Sequence, residues 1–157
     1  MEIRNASIKD LKNIADSVLE FGISEGIKRE NVIYKKVINH IKNNFFCDSN
    51  TNFKKIILDE KGLILGGLFM EISNNYYDNE LFLDDISFFT SPELSKYKRM
   101  KIAVTLLKKA IEWAFDKKLK FIRMNMVYRR PSIIRFMEKI GFYVSSVSYE
   151  MELKSNV

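Results

Sequence analysis

The chain has 157 residues, 46% hydrophobic and 29% charged, with 26 Lys+Arg against 20 Asp+Glu for a net charge of +6. That length suits one domain built on one core. A single cysteine (Cys47) excludes an internal disulfide, a single histidine (His40) excludes a His-rich metal site, and the longest apolar run, Gly62–Met70, falls short of the roughly 20 residues that span a bilayer.

The opening segment, MEIRNASIKD, carries mixed charge and no signal-peptide stretch, so a cytoplasmic protein with no membrane partner is expected. Met1–Ala6 reads as a short strand. Ser7 offers an N-cap with Asp10 three residues on, a variant of the capping box. Ile8, Leu11, Ile14, Ala15, Val18 and Leu19 then recur at three- and four-residue steps, predicting an amphipathic helix that ends near Gly22. A second helix is expected over Glu30–Asn43, with Ile33, Val37, Ile38 and Ile41 on one face. The Asn/Asp/Ser cluster Asp48–Asn52 is a loop. Phe53–Asp59 and Leu63–Ser73 are strands joined by Glu60, Lys61 and Gly62, a hairpin signal, and the polar tract Asn74–Asn79 turns the chain into a third strand, Glu80–Thr90.

After a loop, Ser91–Tyr97, a long helix runs from Lys98 to Lys117. Its polar stripe is Lys101, Thr105, Lys108, Glu112 and Asp116, and apolar residues cover most of the rest, which predicts a sandwiched helix rather than one laid on a surface. Leu119–Val127 is a strand. Pro131 opens a helix whose apolar face is Ile133, Phe136, Met137 and Ile140, with Gly141 as its cap. Tyr143–Leu153 alternates as a final strand. The order β-α-α-β-β-β-α-β-α-β, hairpins followed by β-α-β crossovers, is that of a single α/β (α+β) domain with a mixed sheet over residues 1–157.

Charge and glycine are unevenly placed. Asn74–Glu93 holds five acids and no base, whereas Leu94–Arg130 carries a local charge of +10. Gly67 is followed by no glycine until Gly141. A helix start exposes about four backbone N–H groups and the positive end of the helix dipole, a natural anion seat, and Lys98, Arg99 and Lys101 surround the start of the long helix. On the preceding strand Asp84 and Asp85 are candidate proton acceptors. Alternation points them to opposite faces, Asp85 with Leu81, Leu83, Ser87 and Phe89, and Asp84 with Phe82, Ile86 and Phe88, unless a bulge changes the phase. Asp85 is the first choice. His40 and Cys47 read as structural.

From Ser91-Pro92-Glu93 through Leu107, and again over Ile133–Phe142, the sequence resembles the GNAT superfamily of N-acetyltransferases. Lys98-Arg99-Met100-Lys101-Ile102-Ala103 takes the place of that family's Arg/Gln-x-x-Gly-x-Gly/Ala loop, and Phe136-Met137-Glu138-Lys139-Ile140-Gly141-Phe142 that of its Leu-Tyr-Glu-Lys-x-Gly-Phe. Lys101 stands where the first loop glycine is usual, Met137 where a proton-donating tyrosine is common, and Arg130 where an asparagine is common. The resemblance implies a GNAT-like fold, acetyl-CoA as acyl donor and an amine acceptor, small molecule or protein. It implies that Phe88, Phe89 and Thr90 pair with the pantetheine arm and that residues Lys98 to Ala103 hold the pyrophosphate. Asp84 and Asp85 are then the candidate bases, and Tyr128 a candidate acid in place of Met137.

The leading expectation is therefore an acyl-CoA-dependent N-acetyltransferase acting by direct attack of the amine on the thioester. The alternative is a catalytically degenerate GNAT-fold protein that binds acyl-CoA or a macromolecular partner. Nucleic-acid binding through the basic segment ranks last, because no helix-turn-helix, zinc-finger or RNA-binding motif accompanies it. Oligomerisation stays open.

Overall fold

A computed structural model of the protein describes residues 1–46, 51–74, 80–125 and 131–144, which fall into two compact units, Met1–Met124 and Asn125–Val157. The expected turn over Asn74–Asn79 and the expected strand Tyr143–Leu153 lie largely outside the described residues, as does Tyr128.

The larger unit is a five-stranded sheet in the order β1-β2-β3-β4-β5, made of β1 (Glu2–Asn5), β2 (Asn52–Leu58), β3 (Ile64–Asn74), β4 (Leu81–Thr90) and β5 (Phe121–Arg123). Neighbours are antiparallel except β4 and β5, which are parallel because a helix connects them. That makes the sheet mixed, as the element order requires.

Helices α1 (Leu11–Ser24) and α2 (Tyr34–Phe45) share a core with one face of the sheet. Ile14, Ala15, Ile41 and Phe45 close on Ile56, Phe69 and Phe89, all at most 1% exposed. The Phe45 and Phe69 rings stack 4.1 Å apart, and Phe89 continues the stack at 6.4 Å. A buried Phe contributes about 1.5–3 kcal/mol by leaving water, and offset stacking adds roughly 0.5–1.5 kcal/mol per pair. The opposite face receives α3 (Lys96–Asp116): Trp113 meets Phe53 edge-on at 5.9 Å, and Ile102, Leu106, Leu107, Ala110 and Ala114 are buried. Tyr97 and Phe115 on the same helix remain 78% and 75% exposed, so α3 is laid on the sheet rather than sandwiched.

Local chemistry explains the helix ends. Ser7 begins a one-turn 3-10 helix, Ile8–Asp10, that leads into α1, and Asp10 accepts from both the Ser7 amide and the Ser7 hydroxyl. Arg4 of β1 grips the same carboxylate with two hydrogen bonds of 2.8 and 2.7 Å, and this holds it down at a pKa of about 2 against burial, which pushes the other way. Helix α1 runs past Gly22 to Ser24. Its terminator is Gly26, at φ +109°, with Gly26 N–H donating to Ile23 O and Ile27 N–H to Gly22 O. This is the Schellman arrangement, which needs a left-handed residue at that point. Gly22 serves instead as the surface over which Ile27 folds back, since a methyl there would lie 3.0 Å from the Ile27 side chain. Helix α2 starts four residues later than the sequence suggests, so Ile33 is its N-cap and is 55% exposed.

In the smaller unit α4 spans Pro131–Lys139 and closes at Gly141, φ +99°, through bonds from Gly141 N–H to Glu138 O and from Phe142 N–H to Met137 O.

Candidate active site

Strand β4 pairs with β3 along its whole length, but the register steps from Met70↔Asp85 to Phe69↔Ser87 and leaves Ile86 as an extra residue. Side chains alternate along a strand, so one inserted residue exchanges the faces beyond it. Asp84 lies opposite Glu71, and past the bulge Ser87 and Phe89 lie opposite Phe69 and Gly67, on that same α1–α2 face. Asp85 lies opposite Met70 and shares the α3 face with Phe88 and Thr90. The grouping expected for an unbroken strand, Asp85 with Ser87 and Phe89, is thereby reversed. Both carboxylates are partly buried.

Strand β5 pairs with only the first part of β4, as Phe82↔Phe121, Leu83↔Ile122 and Asp84↔Arg123. The Arg123 guanidinium lies 4.1 Å from the Phe82 ring centroid. Beyond Asp84, β4 runs on to Thr90 with β3 as its only strand partner among the described residues. The two aspartates thus stand where the ladder to β5 stops, and the bulge follows at once.

The open stretch of β4 leads into α3. Ser95 caps this helix, its hydroxyl accepting from Lys98 N–H at 3.4 Å and its carbonyl from Arg99 N–H at 3.0 Å. The first turn holds no acid. Instead Lys96, Lys98 and Arg99 stand at the positive end of the dipole, where added positive charge is unfavourable. Lys98 and Lys101 are exposed and make no ion pair among the described residues, and Met100 is 40% exposed beside them. Farther along, the basic segment is largely engaged: Lys120 pairs with Glu80, Lys109 with Glu112 at 2.7 Å, and Lys117 lies over Trp113. Lys108 and Lys118 are exposed as well, with no ion pair among the described residues.

Ile102 and Ala103 turn inward, Ile102 to 2% exposure. Its position depends on Gly66, where a methyl would come within 2.8 Å of Ile102 Cγ2 and 2.9 Å of the Phe89 carbonyl. On the other face a methyl at Gly67 would press on the Phe89 ring at 2.8 Å. Of this glycine pair, Gly66 alone lies beneath the start of α3.

Arg99 does not project freely. Its Nε donates to Thr90 Oγ1 at 3.0 Å, its Nη2 lies 3.6 Å from Glu25 Oε1, and its guanidinium is 5.9 Å from the Phe21 ring centroid. Glu25 and Phe21 carry no motif, and sequence reasoning passes over both. Paired glycines inside an apolar strand are a legible sign of close backbone approach. Among the described residues, a concavity of about 370 Å³ along α3 is lined by that helix alone, with Tyr97, Met100, Lys101 and Val104 at its start. Met137 of α4 is buried, a thioether with no proton to give.

No family model and no curated protein matches the sequence. Solved structures do. The chain is similar to a probable acetyltransferase (TM-score 0.76, 16% identity, 99% of this chain and 100% of that one). It is also similar to a predicted acetyltransferase from Clostridium acetobutylicum solved with acetyl-CoA (0.74, 18%, 96% and 95%). A transcriptional regulator from Bacillus halodurans matches comparably (0.73, 19%, 97% and 99%). The chain has the fold of the GNAT-type acetyltransferases. Among the described residues no helix is long and apolar enough to cross a membrane.

Proposed function

We propose that this GNAT-fold chain is an acyl-CoA-dependent N-acyltransferase that moves an acetyl group from acetyl-CoA to an amine by direct attack. The observation that carries this reading is the half-paired β4 strand, whose pairing with β5 stops at Asp84 among the described residues and which runs into a helix start where Lys98 and Lys101 are exposed without an ion pair among those residues. An amide-bearing pantetheine arm can add to such a strand edge as a further strand would, while a pyrophosphate suits the N–H groups and dipole of α3. Lys98 and Lys101 supply charge there, doing part of what closer backbone approach does where a loop is rich in glycine. The α3 start and the open stretch of β4 thus fit the donor that the fold suggests.

An alkyl ammonium, with a pKa near ~10.4, has no lone pair and must lose a proton before it attacks. Asp84 is the base we assign, since the bulge puts it on the face shared with α1 and α2, with Asp85 turned toward α3. The C–N bond then forms as the C–S bond breaks. The carboxylate passes the ammonium's first proton to solvent water before attack and takes the second from nitrogen as the amide forms, while the thiolate leaves as such or takes a proton from water. A thiol of pKa near ~8.5 makes this a tolerable leaving group without an acid at Met137.

The test is calorimetry with acetyl-CoA and coenzyme A, followed by thiol release over a panel of primary amines. Binding with turnover supports the reading, and Asp84→Asn should then lower kcat by about 10²–10⁴-fold with coenzyme A affinity unchanged. A larger loss in Asp85→Asn would move the base to Asp85. Binding without turnover over the panel favours an acyl-CoA-binding protein, the reading that Lys101 and Met137 support. No binding refutes both.

A further inference from the structure

We propose that Arg99 is a positioning residue that couples the cofactor end of the site to helix α1. The inference rests on the reading that coenzyme A seats at the α3 start. Arg99 belongs to the first turn of α3, on one side of the sheet, and Phe21 and Glu25 belong to the end of α1, on the other. Between them lies Thr90, the last residue of β4, whose hydroxyl accepts from Arg99 Nε. One side chain thus joins both helical layers around the end of the strand that the donor would pair with. The Arg99 side chain is 26% and the Glu25 side chain 13% exposed, so this contact is shielded from solvent more than a surface pair is.

The coupling follows from what each end lacks. The α3 start gathers cations at a positive dipole end, so an anion there orders the first turn from which Arg99 extends. The α1 end is held by a few terminal bonds, among them Glu25 N–H to Phe21 O at 3.0 Å and Ile27 N–H to Gly22 O at 3.0 Å. Ordering the Arg99 backbone fixes its fork against Thr90 and Glu25 and thereby steadies the segment that leads from α1 to α2. Lysine carries the charge but cannot reproduce the fork, which donates from separate nitrogens in a fixed plane.

Amide hydrogen exchange on the full chain, free and with saturating coenzyme A, tests this. In the wild type, protection of the Glu25, Gly26 and Ile27 amides should rise about threefold or more when coenzyme A binds. In Arg99→Lys that response should vanish even at coenzyme A concentrations that calorimetry on the same variant shows to be saturating, because the charge is kept but the fork is lost. A merely structural arginine would lower protection in both states and leave the ligand response intact. Wild-type amides unmoved at saturation, or moving equally in Arg99→Lys, would overturn the proposal. If calorimetry shows no coenzyme A binding, the acyltransferase reading fails and the coupling with it.

Discussion

Replacing Gly66 by alanine strikes the point at which the sheet fixes α3. The added methyl would sit 2.8 Å from Ile102 Cγ2 and 2.9 Å from the Phe89 carbonyl, against an ordinary contact distance that begins at 3.4 Å, so something must yield by about 0.6 Å. A backbone carbonyl paired in a central strand gives little, so most of the displacement falls on Ile102 and the first turns of α3. Overpacking of this kind costs about 1–3 kcal/mol, and at about 2–4 °C per kcal/mol for a chain of this length the melting temperature should fall by about 2–12 °C. Because Lys98 and Lys101 ride on the same turns, coenzyme A affinity should weaken by about tenfold, equivalent to about 1.4 kcal/mol. Thermal melts and calorimetry on Gly66→Ala, Ile102→Ala and the double variant measure both effects. In the double variant the methyl at position 66 enters space vacated by Ile102, so its stability loss should be smaller than the sum of the single losses. Additive losses, or a Gly66→Ala protein with wild-type melting and affinity, would refute the claim that this close approach sets the helix.

Asp10 gives a pH signature. Its carboxyl is held at about 2 in the folded chain, chiefly by the Arg4 hydrogen bonds, against 3.8 ordinarily. The stability it contributes, up to about 2.4 kcal/mol at 1.36 kcal/mol per pH unit, is present above the ordinary value and lost as pH falls through the folded one. Urea melts from pH 5 to pH 2 should show that loss in the wild type and a flatter profile in Asp10→Asn; equal slopes would count against it. Lys118 sits at φ +56° just beyond α3, where Leu119 N–H reaches Ala114 O, a C-terminal cap that glycine adopts with less strain. Lys118→Gly should therefore stabilise the protein by about 0.5–1 kcal/mol, and a lower melting temperature would contradict the backbone reading.

Periodicity, turn chemistry and caps are local properties, and these were legible. Alternating apolar residues announce β2, β3 and β4, the three- and four-residue steps announce α1 and α3, and Gly141 marks the close of α4 as expected. The GNAT-like succession of elements follows from that pattern and from two short motifs, and it identified the fold without a sequence match to any family model. The two aspartates, within β4, and the basic start of α3 were likewise visible as residues of recognisable elements.

What the sequence left open depends on contacts between segments distant in the chain. The bulge at Ile86, which decides the faces of Asp84 and Asp85, arises from how β4 is matched to β3 and has no signature of its own. Arg99 reads as one cation in a basic run, and only the packing of three elements gives it Thr90, Glu25 and Phe21 as neighbours. Composition alone counted 6 glycines and a net charge of +6. Tertiary structure put Gly66 under the helix and Gly67 against the Phe89 ring on the other face, and drew Arg99, Lys109 and Lys120 into ion pairs, because close approach and ion pairing are set by distances in space, not by separation along the chain.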